Sequence, residues 1–581
     1  MRLSALCLLA FLALSAPAGA QQAADAQAPE AAGTIAGAGT VTARHWMVAA
    51  ANPLATQAGA QMLREGGSAV DAMIATQLVL GLVEPQSSGL GGGAFLVYWD
   101  RSSGRLTSFD GRETAPMVAT PTLFQNASGE PLGFMEAVVG GRSVGTPAIP
   151  RLMEDVHRRH GRLAWARLFE PAITLAENGF SVSPRLAGLI AQDAGLKRTP
   201  GTRDYFFTPD GAPLTAGSVL KNPAYAATLR LLAREGAGAF YRGELAADIV
   251  RTVRGAPGNP GVLAMDDLAT YRVKEREPIC VPYRGYDVCG MGPPSSGALT
   301  LGQILGMLEP YDIRGLGPDS PEAWRLIADA SRLAFADRGR YMADADFVPM
   351  PTRGLVAGDY LKARGELLRG DDALPEVAPG RPKWDHARLD YADDSALELP
   401  STTQISIVDG EGNVLSMTST IENAFGSRLM VGGFLLNNEL TDFSFKSQED
   451  GVPVANRVEP GKRPRSSMAP TIVMKDGRPV LALGSPGGSQ IIGYVAKTLI
   501  AHLDWGMDLS QAIASPNVLA RFDAVEIEEG TAAVRLAPAL EALGFTVKQA
   551  PMTSGVQAIG IAPEGLTGAA DPRREGVAIG Q

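Results

Sequence analysis

Histidine and cysteine are scarce, with five His and three Cys in 581 residues. The histidines are scattered and suggest no His-built metal site. Cys7, Cys280 and Cys289 are too few for a zinc ribbon or an iron–sulfur cluster. There is no basic tract: Lys+Arg total 52 against 62 Asp+Glu, a net charge of −10. That balance argues against nucleic acid as the main partner. Long apolar runs are also missing, apart from LSALCLLAFLAL near the start. About a dozen residues are too few to span a bilayer. Behind Arg2 and ahead of Ala18-Gly19-Ala20 the run reads as a secretory signal over residues 1–20. Cys7 lies inside the apolar stretch and not at the cleavage junction, which excludes a lipoprotein signal. The chain is therefore expected to be exported, periplasmic or secreted. The Ala/Gly/Gln-rich residues 21–40 read as a mobile leader.

What remains is ordinary globular composition, 45% hydrophobic and 20% charged. It excludes collagen-like and disordered classes. Export gives the two later cysteines a meaning. In PICVPYRGYDVCGM a two-residue turn at Arg284-Gly285 sets Cys280 opposite Cys289, at a non-hydrogen-bonded pair where side chains approach most closely. A cross-strand disulfide is expected there in an oxidising compartment.

The pattern along the chain is α+β. Two helices broken at Gly66-Gly67 lead through Gly89–Gly93 into the strands AFLVYWD and LTSFD. A mainly helical stretch follows, from about Ile149 to Ala336. Residues 378–401 are charged and aperiodic and read as a linker; beyond them the chain turns β-rich. Gly89–Gly93 lacks the Lys-Ser/Thr of a phosphate loop, so close helix–strand packing is expected of it. Gly484-Ser485-Pro486-Gly487-Gly488 is no nucleophile elbow, since Leu483 stands where glycine is required. His157 and His160 are expected on the solvent face of a helix.

The informative region begins at Ser401-Thr402-Thr403, where the linker ends and a strand starts with threonine. TQISIVD and NVLSMTST form two arms around a turn near Glu411, which puts Thr402 opposite Thr420. Gln404, Ser406, Ser416 and Thr418 share one face; Ile405, Ile407, Leu415 and Met417 share the other. The first is expected to be a hydroxyl-rich floor, the second apolar core.

Here the chain resembles the γ-glutamyltranspeptidases, or glutathione hydrolase proenzymes. The likeness runs from about Met47 to about Phe522. It rests on GGSAVDA, GLGGGAF, GRETAP around Arg112, PPSSGA at Pro293–Ala298, TTQIS with a later ST, NNELTDF, KRPRSSMAPTIV and GSPGGS, in that order. The resemblance implies a four-layer αββα N-terminal-nucleophile hydrolase sandwich. It implies self-cleavage between Ser401 and Thr402 into a large subunit (21–401) and a small catalytic one (402–581), with no metal or organic cofactor. The chemistry fits independently. A threonine hydroxyl needs a base, and no His-Asp partner is evident. Cleavage frees the Thr402 α-amine, whose unperturbed pKa is roughly 7.7–8.0.

By resemblance Thr402 is the nucleophile and Thr420 its support, while Gly487 and Gly488 supply oxyanion-hole N–H groups. Arg112, Ser466 and Ser467 bind the α-carboxylate of a γ-glutamyl donor, and Glu439 and Asp442 its ammonium. Four departures stand out. Glu422 replaces the usual Asn; an acid there can still accept from the donor ammonium but is expected to repel the α-carboxylate. The stretch from Asp442 to Ser466 is short, and Asn456 stands about where a lid Tyr is often found. Gln404 replaces a common His. The expected activity is transfer of the γ-glutamyl group of glutathione-like small molecules to water, amino acids or peptides. The main alternative is a glutaryl-cephalosporin-type acylase of the same fold; a non-catalytic binding protein would not need the intact Thr pair. The acid pair argues for an amino-bearing donor.

Overall fold

A computed structural model describes residues 39–581, apart from Ser395 and Pro400. The signal segment 1–20 and nearly all of the leader lie outside the described residues.

Two seven-stranded sheets stack face to face. The site sheet runs Val577–Gly580, Met47–Ala50, Thr403–Val408, Val414–Thr420, Gly93–Asp100, Arg105–Gly111, Lys274–Arg276. The second runs Val41–Ala43, Gly565–Ala570, Gln557–Ala562, Arg478–Gly484, Thr471–Lys475, Tyr286–Gly290, Ile279–Tyr283. Helices Pro53–Arg64 and Ala69–Val83 cover the outer face of the site sheet; Gly297–Leu308, Pro321–Tyr341 and Ile491–Leu503 cover the other. The result is the αββα sandwich. Ala69–Val83 is apolar apart from Asp71, Thr76 and Gln77 and buried at every residue, as a helix must be when sheet and outer helices enclose it. A Ser68/Asp71 capping box and the Asp409 carboxylate satisfy its first N–H groups.

Each sheet takes strands from both sides of Ser401–Thr402. Thr403–Val408 pairs with Met47–Ala50, and Val414–Thr420 pairs with Gly93–Asp100. Backbone ladders therefore bind the two prospective fragments. The hairpin register is the expected one, with Gln404 opposite Thr418 and Ser406 opposite Ser416. Both of its faces are buried, however. The apolar face packs on the helices, and the hydroxyl face lies between the sheets. Ser406 donates to the Gln557 carbonyl (2.9 Å) and Ser416 to the Leu483 carbonyl (2.8 Å). Gln404 bridges Ser416 and Thr418 within the hairpin.

Cys280 and Cys289 face each other and are joined by a disulfide, with Arg284 and Gly285 both at positive φ in the turn. The closed loop is short, so its chain-entropy contribution is about 2–3 kcal/mol. Replacing both by Ser is expected to lower Tm by a few degrees and leave turnover unchanged. Thiol titration of unreduced, unfolded protein should find no free thiol. His157 and His160 are partly buried, not solvent-facing: His157 contacts the Leu163 carbonyl and the His160 ring lies tilted against Tyr98.

Candidate active site

Thr402 and Thr420 lie side by side at the head of the hairpin, both buried, with their hydroxyl oxygens 3.4 Å apart. The chain is uncut. The Ser401 carbonyl receives hydrogen bonds from the Thr420 hydroxyl (3.0 Å) and from the Thr402 hydroxyl. The Glu422 N–H donates to the Thr420 oxygen (2.8 Å), which leaves the Thr420 proton for that carbonyl. The Ser401 carbonyl is thus polarised by two threonine hydroxyls, one of them on the next residue. Ser401 is anchored through its hydroxyl to the Gln86 carbonyl (2.7 Å). Arg574 donates to the Thr402 carbonyl (3.2 Å).

The Gly-rich loop works by close backbone approach. A Cβ on Gly92 would stand 2.0 Å from the Thr420 carbonyl oxygen, and one on Gly91 2.1 Å from that of Leu435. Gly91 and Gly92 thus approach Leu435 and the end of the hairpin strand Val414–Thr420, while Gly89 packs against Gly81 of the helix Ala69–Val83, the close helix–strand packing expected. Gly487 and Gly488 sit at φ 133° and 55°, in the region that favours glycine. They lead into the N-terminus of Ile491–Leu503, whose first residue lines the pocket.

Arg112 leaves the strand Arg105–Gly111 fully buried. It contacts the carboxylates of Glu439 and Asp442 and donates to the carbonyls of Pro464 (3.2 Å) and Arg465 (2.8 Å). In the uncut chain the arginine and the acid pair are therefore bonded to each other. The Glu439–Asp442 turn is fixed by its two asparagines. Asn437 clamps Gly91 and Gly145, while Asn438 holds Asn423, Glu422 and Thr441. Burial raises the pKa of Asp442 and Glu439 against the pull of Arg112. Ser466 is bracketed by the PPSSGA segment, through the Pro294 carbonyl and the Ser296 N–H, and its hydroxyl accepts from Met468 N–H (3.1 Å).

Glu422 takes a left-handed backbone (φ 75°) and is buried, with Asn438 donating to it. Burial, reinforced by Glu439, pushes its pKa up to about 8. The shift favours the neutral acid, close in shape and charge to the Asn it replaces, and so weakens the expected repulsion of a carboxylate. The folded chain holds this proton up to about pH 8, whereas the unfolded chain releases it near the ordinary value of 4.5. Its contribution to stability therefore falls as pH rises between those values. In the uncut Thr402→Ala protein, Glu422→Gln is expected to flatten the decline of Tm across this window. An unchanged slope would remove Glu422 from the account.

Two expectations need correction. The linker, whose polar composition implies mobility at the bond before Thr402, is exposed over much of 381–390, but Tyr391, Glu398, Leu399 and Ser401 are buried, so that bond is held. Asn456 lies in no lid. It is buried beneath the site, donating to the Asp442 carbonyl (2.7 Å) and Asp394 (2.8 Å) and accepting from Arg465 N–H (2.9 Å). Sequence reasoning missed Glu398, Arg338 and Arg574. The only signal was position, Glu398 being an acid three residues before Ser401 in a stretch otherwise read as spacer.

Thr402, Thr420, Arg112, Glu422, Glu439, Asp442, Ser466, Ser467 and Gly488 thus converge on one small pocket of about 20 Å3, which Glu398 and Leu399 also line. The profile of the family described as Gamma-glutamyltranspeptidase matches residues 55–581. The chain belongs to that family. It is 38% identical to a glutathione hydrolase proenzyme of Bacillus subtilis over 92% of this chain and 91% of that protein. It is 36% identical to an acylase ACY 1 proenzyme of Pseudomonas sp. over 92% and 93%. Among solved structures, cephalosporin acylase from Bacillus halodurans superposes with a TM-score of 0.82 at 27% identity, covering 95% of this chain and 99% of that one. Family membership makes this chain an enzyme of the N-terminal-nucleophile hydrolase fold. Among the described residues no helix is long and apolar enough to cross a membrane.

Proposed function

We propose that the chain is an exported, self-processing γ-glutamyl hydrolase and transferase acting on glutathione and related small donors. The observation that carries this reading is the arrangement at the scissile bond, with two threonine hydroxyls on the Ser401 carbonyl beside a buried Arg–Glu–Asp cluster. In processing, Thr402 Oγ1 attacks the Ser401 carbonyl carbon and its proton passes to the Thr402 nitrogen. The C–N bond breaks, leaving an ester that water hydrolyses to a Ser401 carboxylate and a free Thr402. The freed α-amine is then the base for attack on the donor γ-carbonyl, and the Gly487/Gly488 N–H groups meet the oxyanion. Glu439 and Asp442 receive the donor ammonium; Arg112, Ser466 and Ser467 form the carboxylate side. The large subunit ends at Ser401 and the small one spans 402–581. Purified enzyme should release p-nitroaniline from γ-glutamyl-p-nitroanilide, and no release would defeat the proposal.

A glutaryl-cephalosporin-type acylase is the second reading. A cavity of about 1120 Å3 favours it, opening beside the pocket and lined by Leu399, Phe134, Met135, Leu189 and Phe425. Such room suits a bulky, partly apolar leaving group. The acid pair favours the first reading, because a glutaryl group has no ammonium. Glutaryl-p-nitroanilide in the same assay separates the two.

A further inference from the structure

Gly487 and Gly488 follow one another, so no side chain of their own fixes where their N–H groups point. Their surroundings must hold them. Gly487 leans on Tyr494, since a Cβ there would stand 2.7 Å from the tyrosine ring carbon Cε2. The Gln490 N–H returns to the Gly487 carbonyl (3.1 Å). The side chains of the next two residues are tied from behind. Arg521 contacts the Ser489 hydroxyl and donates to the Glu526 carboxylate (2.7 Å). Gln490 donates to the same carboxylate (3.4 Å) and accepts from the Tyr494 hydroxyl (2.9 Å).

Ser489, Arg521, Glu526 and Gln490 thus close a ring, and Tyr494 braces it from Gln490 back to Gly487. All five side chains are buried, and none lines the pocket. The ring joins separate elements. Ser489 and Gln490 lead into the helix Ile491–Leu503, which carries Tyr494. Glu526 lies on the strand Ala524–Glu528, and Arg521 lies between that strand and Val518–Ala520, in a three-stranded sheet apart from the two large ones. A buried ion pair is a weak source of stability. What it supplies here is direction. Oxyanion donors act only when they are held in place before the charge develops.

We infer that Arg521 is a positioning residue for acyl transfer: through Ser489, and through Glu526 and Gln490, it holds the Gly487 and Gly488 N–H groups where the donor's oxyanion forms. The inference rests on the oxyanion role proposed above for the two glycines, and it is indifferent to which acyl donor is used. Self-cleavage lies outside it, because the Ser401 carbonyl is bonded by Thr402 and Thr420.

The main test is Arg521→Met combined with Glu526→Gln, which removes both charges and leaves neither ion of the pair buried alone. This protein should process into two bands, as the wild type does. Its kcat/KM for the anilide that the wild type cleaves, γ-glutamyl or glutaryl, should fall by about 30-fold or more, as displaced oxyanion donors require. Ground-state binding should hold. The inhibition constant of norvaline (for a γ-glutamyl site) or pentanoate (for a glutaryl site) should change by less than about threefold. Both keep the donor's carboxylate and carry no oxygen at the acyl carbon, so neither calls on the two N–H groups. Ser489→Ala cuts one link and leaves the ion pair. It should lower kcat/KM by about threefold to tenfold, again with the inhibition constant unmoved.

Unchanged turnover in the combined variant overturns the inference. So does a parallel rise in the inhibition constant, or an uncut chain, either of which marks the ring as general scaffolding. If the combined variant does not fold, Ser489→Ala decides, and unchanged turnover there overturns the inference. A wild type active only on glutaryl-p-nitroanilide defeats the function proposal and leaves this test standing; a wild type inert toward both anilides defeats the two together.

Discussion

Thr402→Ala is expected to leave a single band on a denaturing gel and to abolish turnover, where the wild type gives two bands. The substitution deletes the only hydroxyl that is both in contact with the Ser401 carbonyl and on the residue after the bond. Thr420 touches the same carbonyl but stands across the hairpin, so it can polarise the bond without forming the ester. Sequencing of the small wild-type fragment should begin at Thr402. Because every Thr402-side strand next to Met47–Ala50 or Gly93–Asp100 is joined by backbone ladders, the fragments should co-elute under native conditions and part only in denaturant. Two bands from Thr402→Ala, or a small fragment starting elsewhere, would overturn the assignment of nucleophile and cleavage site.

Arg112→Ala is expected to cost on the order of 2–5 kcal/mol of transition-state stabilisation, about a 30- to 5000-fold loss in kcat/KM for γ-glutamyl-p-nitroanilide. Two causes add. The arginine leaves Glu439 and Asp442 buried without their cation, so both tend to protonate and lose their grip on an ammonium. The loop carrying Pro464 and Arg465 also loses two bonds to the guanidinium, which loosens the neighbouring serines. Asp442→Asn isolates the first cause. It keeps the shape and removes one negative charge, so the ratio of γ-glutamyl to glutaryl turnover should fall. If that ratio does not move, Asp442 does not hold the ammonium, and the acylase reading gains. Processing should survive Asp442→Asn, because Asp442 makes no bond to Ser401 or Thr402.

The sequence by itself determined whatever depends on local pattern. Strand alternation and a two-residue turn set Cys280 opposite Cys289, and alternation around Glu411 set Thr402 across from Thr420. Ordered motifs were enough to name the family and most of the pocket, because the short segments NNELTDF, GRETAP and KRPRSS each carry their site residues together. Tertiary structure alone decided how those segments neutralise one another. That Arg112 meets Glu439 and Asp442 follows from distant strands converging, and no spacing encodes it. Burial decided that Glu422 holds its proton more tightly than an exposed carboxyl. A charged, aperiodic linker looks solvated in sequence, since polarity is local and partners are not. Only the fold supplies the buried Arg338 and Arg465 that draw Glu398 inside and hold the bond before Thr402 in place.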